Sequence, residues 1–253
     1  MDANGSAAIV TGAASGLGEA TARALAAAGA KVAVLDMNEE GAKKVAVDIG
    51  GVAFGCDVSS AESLEAAVAG ATEAHGAARV AVSCAGVGTP AKIVGRDGPQ
   101  ALETFSKVIN INLVGTFNMM RLAAAGMQSL DPLPGNERGI IINTASVAAF
   151  EGQIGQAAYA SSKGGVTAMT LPAAREFARF GIRVMTIAPG IFGTPMLRGL
   201  SQEVQDSLGA SVPFPSRLGE PDEYAALAMH MVSNAMLNGE TVRLDGAIRM
   251  QPI

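Results

Sequence analysis

Seven short apolar runs, Ala7–Val10, Lys31–Leu35, Val52–Gly55, Val80–Ser83, Gly139–Asn143, Arg183–Ala188 and Thr241–Leu244, punctuate the chain. They are apolar nearly throughout rather than alternating with polar residues, as strands covered on both faces should be. Between them lie stretches rich in Ala, Glu, Arg and Met with apolar residues recurring at three and four: Gly16–Ala28, Glu39–Asp48, Ala61–His75, Ala101–Met127, Gln156–Phe180 and Pro221–Asn234. These read as helices. Strand then helix, repeated, specifies an α/β fold with a parallel sheet wrapped on both sides.

With 253 residues, 49% of them hydrophobic, the chain can bury a large core, and no Pro- or Ser-rich linker divides it. A single domain over residues 1–253 is expected. The net charge of −5 offers no footprint for nucleic acid and no attraction to anionic lipid. Charges break every Ala-rich run, so no membrane span is expected. Cys56 and Cys84 stand far apart with no Cys/His cluster, which points to a reducing compartment and to no metal site. The start, Met1-Asp2-Ala3, has no basic region before an apolar stretch, so a cytoplasmic protein is expected.

Thr11-Gly12-Ala13-Ala14-Ser15-Gly16-Leu17-Gly18 follows the first strand and opens the first helix. Glycines at such a turn let the backbone approach a pyrophosphate, which the free N–H groups of the helix end then hold. Asp36 ends the second strand, where a carboxylate accepts hydrogen bonds from ribose hydroxyls and repels a 2′-phosphate. Neither Ala13-Ala14-Ser15 nor Met37-Asn38 supplies a cation for that phosphate, so NAD is expected over NADP. The fold class is therefore Rossmann-type and doubly wound, a seven-stranded parallel sheet with helices on both faces. Its cofactor half covers roughly residues 1–150, and its catalytic and substrate half roughly 140–253.

Tyr159 and Lys163 stand at i and i+4 of a predicted helix and project from one face, with Ser146 just past the fifth strand. An ammonium beside a phenol favours phenolate, which makes a proton donor and acceptor for an alcohol/ketone pair, and a serine hydroxyl can polarise the same oxygen. Cys84 reads as a small packing residue, since the two histidines, His75 and His230, sit in helical stretches away from it. The insertions Val87–Gln100 and Gly190–Gly219 follow strands, where a substrate pocket needs walls. Phe150, Phe192, Met196, Leu197, Leu200 and Phe214 are candidate apolar lining.

The Thr11–Gly18 turn, Asp57-Val58, Cys84-Ala85-Gly86, Asn112, Ser146, Tyr159-Ala-Ser-Ser-Lys163 and Pro189-Gly190 together resemble the short-chain dehydrogenase/reductase family over essentially the whole chain. The family's usual Asn-Asn is Ser83-Cys84 here, so part of the bracing of the sheet must come from elsewhere. The resemblance implies that Tyr159 is the general acid/base, Lys163 lowers its pKa and holds the nicotinamide ribose, Ser146 positions the substrate oxygen, and Asn112 supports a water-linked proton relay. For the cofactor it implies Gly12, Ser15, Leu17, Gly18, Asp36, Asp57, Val58, Cys84, Ala85, Gly86, Tyr159, Lys163, Pro189, Phe192 and Thr194, with Thr194 anchoring the carboxamide.

Longer runs, Ile141–Gly152, Gly155–Tyr159, Arg183–Gly190, Val212–Gly219 and Arg243–Pro252, resemble those members of the family that interconvert 3-hydroxyacyl-CoA and 3-oxoacyl-CoA with NAD in fatty acid metabolism, on short or branched chains. This implies an acyl-CoA substrate and a homotetramer. Lys92 and Arg96 are the cations of the first insertion that could meet a CoA phosphate. The alternatives are an NAD-dependent secondary-alcohol or hydroxysteroid dehydrogenase, or a 3-oxoacyl-carrier-protein reductase.

Overall fold

The computed structural model describes residues 1–96 and 98–252. In chain order the elements are β1 (Ala7–Thr11), α1 (Gly16–Ala27), β2 (Lys31–Asp36), α2 (Glu39–Ile49), β3 (Val52–Gly55), α3 (Ala61–His75), β4 (Val80–Ser83), β5 (Val94–Gly95) and β6 (Gly98–Pro99). There follow α4 (Leu102–Ile109), α5 (Gly115–Gln128), β7 (Gly139–Thr144), α6 (Ala157–Phe177), β8 (Ile182–Pro189), α7 (Pro195–Arg198), α8 (Gln202–Ala210), α9 (Pro221–Ser233) and β9 (Thr241–Leu244). The main sheet runs β3-β2-β1-β4-β7-β8-β9, parallel throughout. It is the doubly wound, seven-stranded sheet that the apolar runs predict. None of the helices described is long and apolar enough to cross a membrane.

Alternation along each strand explains why the runs are apolar throughout. Val10, Val34, Val82, Ile142 and Ile187 belong to one buried cluster with Leu25 of α1, Val45 of α2 and Tyr224 of α9. Their neighbours Ile9, Leu35, Ala81, Ile141 and Val184 belong to a second, with Leu64 of α3 and Met119 and Met127 of α5. Successive side chains point to opposite faces, and each face meets its own layer of helices.

Three differences from the predicted elements bear on the site. The single helix expected over Ala101–Met127 is interrupted at Asn110–Val114 by a wider π-helical turn. Such bulges re-aim side chains out of helical register, and this one contains Asn112. The insertion Gly190–Gly219 carries the short helices α7 and α8, while Val87–Gln100 contains the two-residue hairpin strands β5 and β6.

Chain order along the sheet reverses between β1 and β4. Connections leave these two strands in opposite directions, so a crevice opens at their carboxyl ends.

Candidate active site

Gly12 lies at that crevice, with φ +64. A Cβ there would stand 2.5 Å from the Ala85 amide nitrogen, and one at Gly18 would fall on the Gly12 carbonyl. Both positions therefore need glycine for close approach, and Gly12 also needs it for its left-handed backbone. The turn leads into α1, whose N-cap Ser15 makes no side-chain capping bond, leaving the helix's first N–H groups free for an anion. Asp36 sits across the turn: its Oδ2 accepts from the Ala14 N–H at 3.0 Å and its Oδ1 from the Asn38 N–H at 2.8 Å.

A cavity of about 770 Å³ runs from this turn to the end of β7. Gly12, Ser15, Leu17, Gly18, Asp36, Asp57, Val58, Cys84, Ala85, Gly86, Pro189 and Thr194 line it, and so do Ser146, Tyr159 and Lys163. Its volume, its glycine lining and its carboxylate fit a dinucleotide. Thr194 and Pro195 close over the turn, 3.5 and 3.4 Å from where a Gly16 Cβ would stand.

Ser146 caps a single helical turn at Val147–Ala149, its Oγ accepting from the Ala148 N–H at 3.1 Å. Burial raises the Tyr159 pKa, and the neighbouring Ser146 hydroxyl opposes that shift. Lys163 follows one turn along α6, with its Nζ 5.8 Å from the Tyr159 ring centre and donating to the Thr144 carbonyl at 2.8 Å. Burial pulls its pKa down to about 8, while the nearby Cys84 opposes. In the protein alone the net direction for Tyr159 is upward, because desolvation outweighs the opposing Ser146 hydroxyl.

Strand geometry explains why Thr144 is free to take the lysine. Pairing of β4 with β7 stops at Ser83 and Asn143, and the Ala85 N–H turns to Thr11 Oγ1 at 3.4 Å. The Thr144 carbonyl, one residue on, is left for the ammonium.

Asn112 does not line the cavity. It is fully buried, accepts from the Val87 N–H at 2.8 Å, and donates to the Val87 carbonyl at 2.9 Å and to Ser162 Oγ at 3.0 Å. Ser162 in turn donates to the Tyr159 carbonyl at 2.7 Å. Asn112 thereby ties the loop after β4 to the helix that carries Tyr159.

Among the predicted cofactor residues, Phe192 is the one the structure places elsewhere. It is 6% exposed and packs into the core beside Gly219, because the strand-like pairing of Phe192 with Gly219 turns it inward. Of the apolar candidates only Leu197 joins the lining; Phe150, Leu200 and Phe214 are exposed outside it, and the side chain of Met196 lies outside the described residues.

The bracing lost with the missing asparagines has a counterpart. Thr144 Oγ1 lies 2.7 Å from the hydroxyl of Tyr224, and both meet Cys84 Sγ, at 3.5 and 3.8 Å. Tyr224, fully buried on α9, carries no sequence signal for this role. The same burial raises the Cys84 pKa, so this thiol stays protonated and packs, as expected. Gly155, Gln156 and Met250 also line the cavity without having been predicted. Gln156, next to the tyrosine helix, was within reach of sequence reasoning; Met250 was not.

Comparison with known proteins agrees with this geometry. A sequence profile described as short chain dehydrogenase matches residues 6–205. The chain is 53% identical over 249 residues to a Bos taurus protein named 3-hydroxyacyl-CoA dehydrogenase type-2, covering 97% of this chain and 95% of that one. It is 34% identical over 247 residues to ipsdienol dehydrogenase of Ips pini, covering 95% and 96%. The crystal structure of a 3-hydroxyacyl-CoA dehydrogenase type-2 from Mycobacterium avium superposes with a TM-score of 0.94 at 43% identity over 98% of both chains.

Proposed function

As the chain belongs to the short chain dehydrogenase family, an oxidoreductase family that uses a nicotinamide dinucleotide, we propose that it interconverts 3-hydroxyacyl-CoA and 3-oxoacyl-CoA with NAD. The observation that carries the cofactor is Asp36, a carboxylate held by two backbone N–H groups beside the glycine turn with no cation among its hydrogen-bond partners. The substrate class is supported by the names of relatives at about half identity over nearly the full chain.

In this reading a bound nicotinamide supplies the hydride acceptor, and the protein supplies position and proton transfer. The substrate oxygen lies between Ser146 Oγ and Tyr159 Oη, two hydroxyls that line the same cavity. Tyr159 takes the proton from the alcohol, or returns it to the ketone, while Ser146 donates to the same oxygen. Lys163, with its pKa near 8, is mostly an ammonium at neutral pH and holds its charge within reach of the developing phenolate. Beyond its bond to the Thr144 carbonyl, Lys163 would hold the nicotinamide ribose through its remaining N–H groups. Asn112 keeps Val87 and, through Ser162, the tyrosine helix in register.

Secondary-alcohol dehydrogenation is the second reading, favoured by the 34% identity to ipsdienol dehydrogenase. Oxidation rates of NADH and NADPH with acetoacetyl-CoA, against a CoA-free ketone of similar size, separate the two. Rapid turnover of the thioester with NADH supports the first; turnover of the ketone alone moves the protein to the second, and preference for NADPH overturns the cofactor assignment. Exposed Val114 at the end of the π turn, Phe117 on α5 and Leu171 on α6 support a homotetramer, and two free cysteines support a cytoplasmic, reducing setting.

A further inference from the structure

Past β9 the chain turns back on itself. Gly246 and Ala247 are both left-handed, at φ 57 and 68. For alanine that conformation is strained and persists only where its surroundings enforce it. Here Asp245 Oδ1 accepts from the Ala247 N–H at 3.0 Å, and Ile248 is buried.

The turn delivers the tail onto the loop that follows Ser146. Glu151 Oε2 accepts from the Met250 N–H at 3.1 Å, Gln153 donates to the Gln251 carbonyl at 2.9 Å, and the Ile154 N–H donates to the Pro252 carbonyl at 2.9 Å. Three consecutive tail residues are thus fastened to one short segment. That segment runs directly into Gly155 and Gln156 of the cavity and then to Tyr159.

Arg243 organises the clasp. Its guanidinium holds Glu151 through two bonds, at 2.7 and 3.1 Å, binds Asp245 at 2.7 Å and the Ile248 carbonyl at 3.0 Å, and lies 5.3 Å from the Phe150 ring centre. Paired forks of this kind fix geometry as well as energy.

Met250, at the end of this clasp, is among the described residues the only one beyond β9 that lines the cavity. We propose that Met250 is a specificity-determining residue that walls the substrate chain at the end of the cavity remote from Asp36, and that Glu151 and Arg243 are the positioning residues that set it there. The inference rests on Tyr159 and Ser146 being the reaction centre. A flexible thioether, in a lining that also holds Leu197, Ala148 and Pro90, adds an apolar surface suited to an aliphatic chain.

The test is the ratio of kcat/KM for 3-oxooctanoyl-CoA to that for acetoacetyl-CoA, with NADH. Met250→Ala should raise this ratio by about tenfold or more, and Met250→Phe should lower it. Glu151→Gln should shift the ratio in the direction of the alanine variant and raise KM more than it lowers kcat. A role in stability alone lowers both substrates in step, so unchanged ratios in the Met250 variants, with NADH binding intact by fluorescence, overturn the proposal. The same ratio on CoA-free methyl ketones of matched length decides the case if the wild-type protein ignores thioesters, which would defeat the CoA reading while leaving the wall to stand or fall by itself.

Discussion

Asp36 is bonded to the glycine turn before any ligand arrives: its Oδ2 accepts the Ala14 N–H at 3.0 Å. The carboxylate is therefore held at the turn by the same backbone that shapes the phosphate cradle, and its remaining lone pairs face the cavity it lines. Replacing Asp36 with alanine should weaken NADH binding about 10- to 100-fold, the range for losing hydrogen bonds to a charged group, and leave NADPH affinity equal or higher. Fluorescence titration with both nucleotides checks this; equal losses for the two would remove Asp36 as the ribose contact.

Tyr159→Phe keeps the ring and its packing and deletes the reacting oxygen. Turnover should fall by about 10²- to 10⁴-fold, the usual contribution of a positioned acid/base group, with NADH affinity little changed. A variant that keeps a wild-type kcat would end the acid/base assignment.

Lys163 links burial to pH. In the folded protein its pKa is about 8, against 10.5 for an ordinary lysine. Between those values the unfolded chain binds a proton that the native chain has released, so stability rises with pH across that window. Below about pH 8 the penalty is present in full, on the order of 3 kcal/mol. Tyr159, raised by burial, acts oppositely above about pH 10, where the unfolded chain ionises first. Urea midpoints for wild type and Lys163→Met should therefore diverge in slope from about pH 8 upward, the variant being flatter; parallel profiles would show that Lys163 is not the group responsible.

At Gly12 the constraint is steric. Alanine would carry a Cβ to 2.5 Å from the Ala85 amide nitrogen while keeping φ at +64. The crevice between β1 and β4 must widen to admit it, so Gly12→Ala should lose NADH binding before it loses secondary structure, read by fluorescence and circular dichroism together. Retained affinity would mean that the turn does not touch the pyrophosphate.

Tyr224→Phe should lower stability by about 1–3 kcal/mol, the cost of stranding a buried hydroxyl, since Thr144 Oγ1 loses its 2.7 Å partner. Chemical denaturation measures it. A neutral outcome would indicate that Cys84, 3.5 Å from the same oxygen, suffices.

What the sequence by itself determined about this protein is whatever short-range pattern encodes. Uniformly apolar runs announced strands buried on both faces, the Gly12–Gly18 cluster between a strand and a helix announced the cradle, and the i, i+4 spacing put Tyr159 and Lys163 on one face. Each follows from backbone periodicity or from a residue's own steric freedom, which neighbours along the chain suffice to express. Only the tertiary structure decided that Phe192 turns into the core, that Asn112 leaves helical register in a π turn to hold Val87, and that Tyr224 braces Thr144. It also decided the direction of the Tyr159 and Lys163 shifts and brought Met250 to the cavity. These depend on desolvation and on contacts between segments up to a hundred residues apart, such as Glu151 with Met250. Such contacts exist once the helical layers have closed on the sheet, and no local pattern carries them.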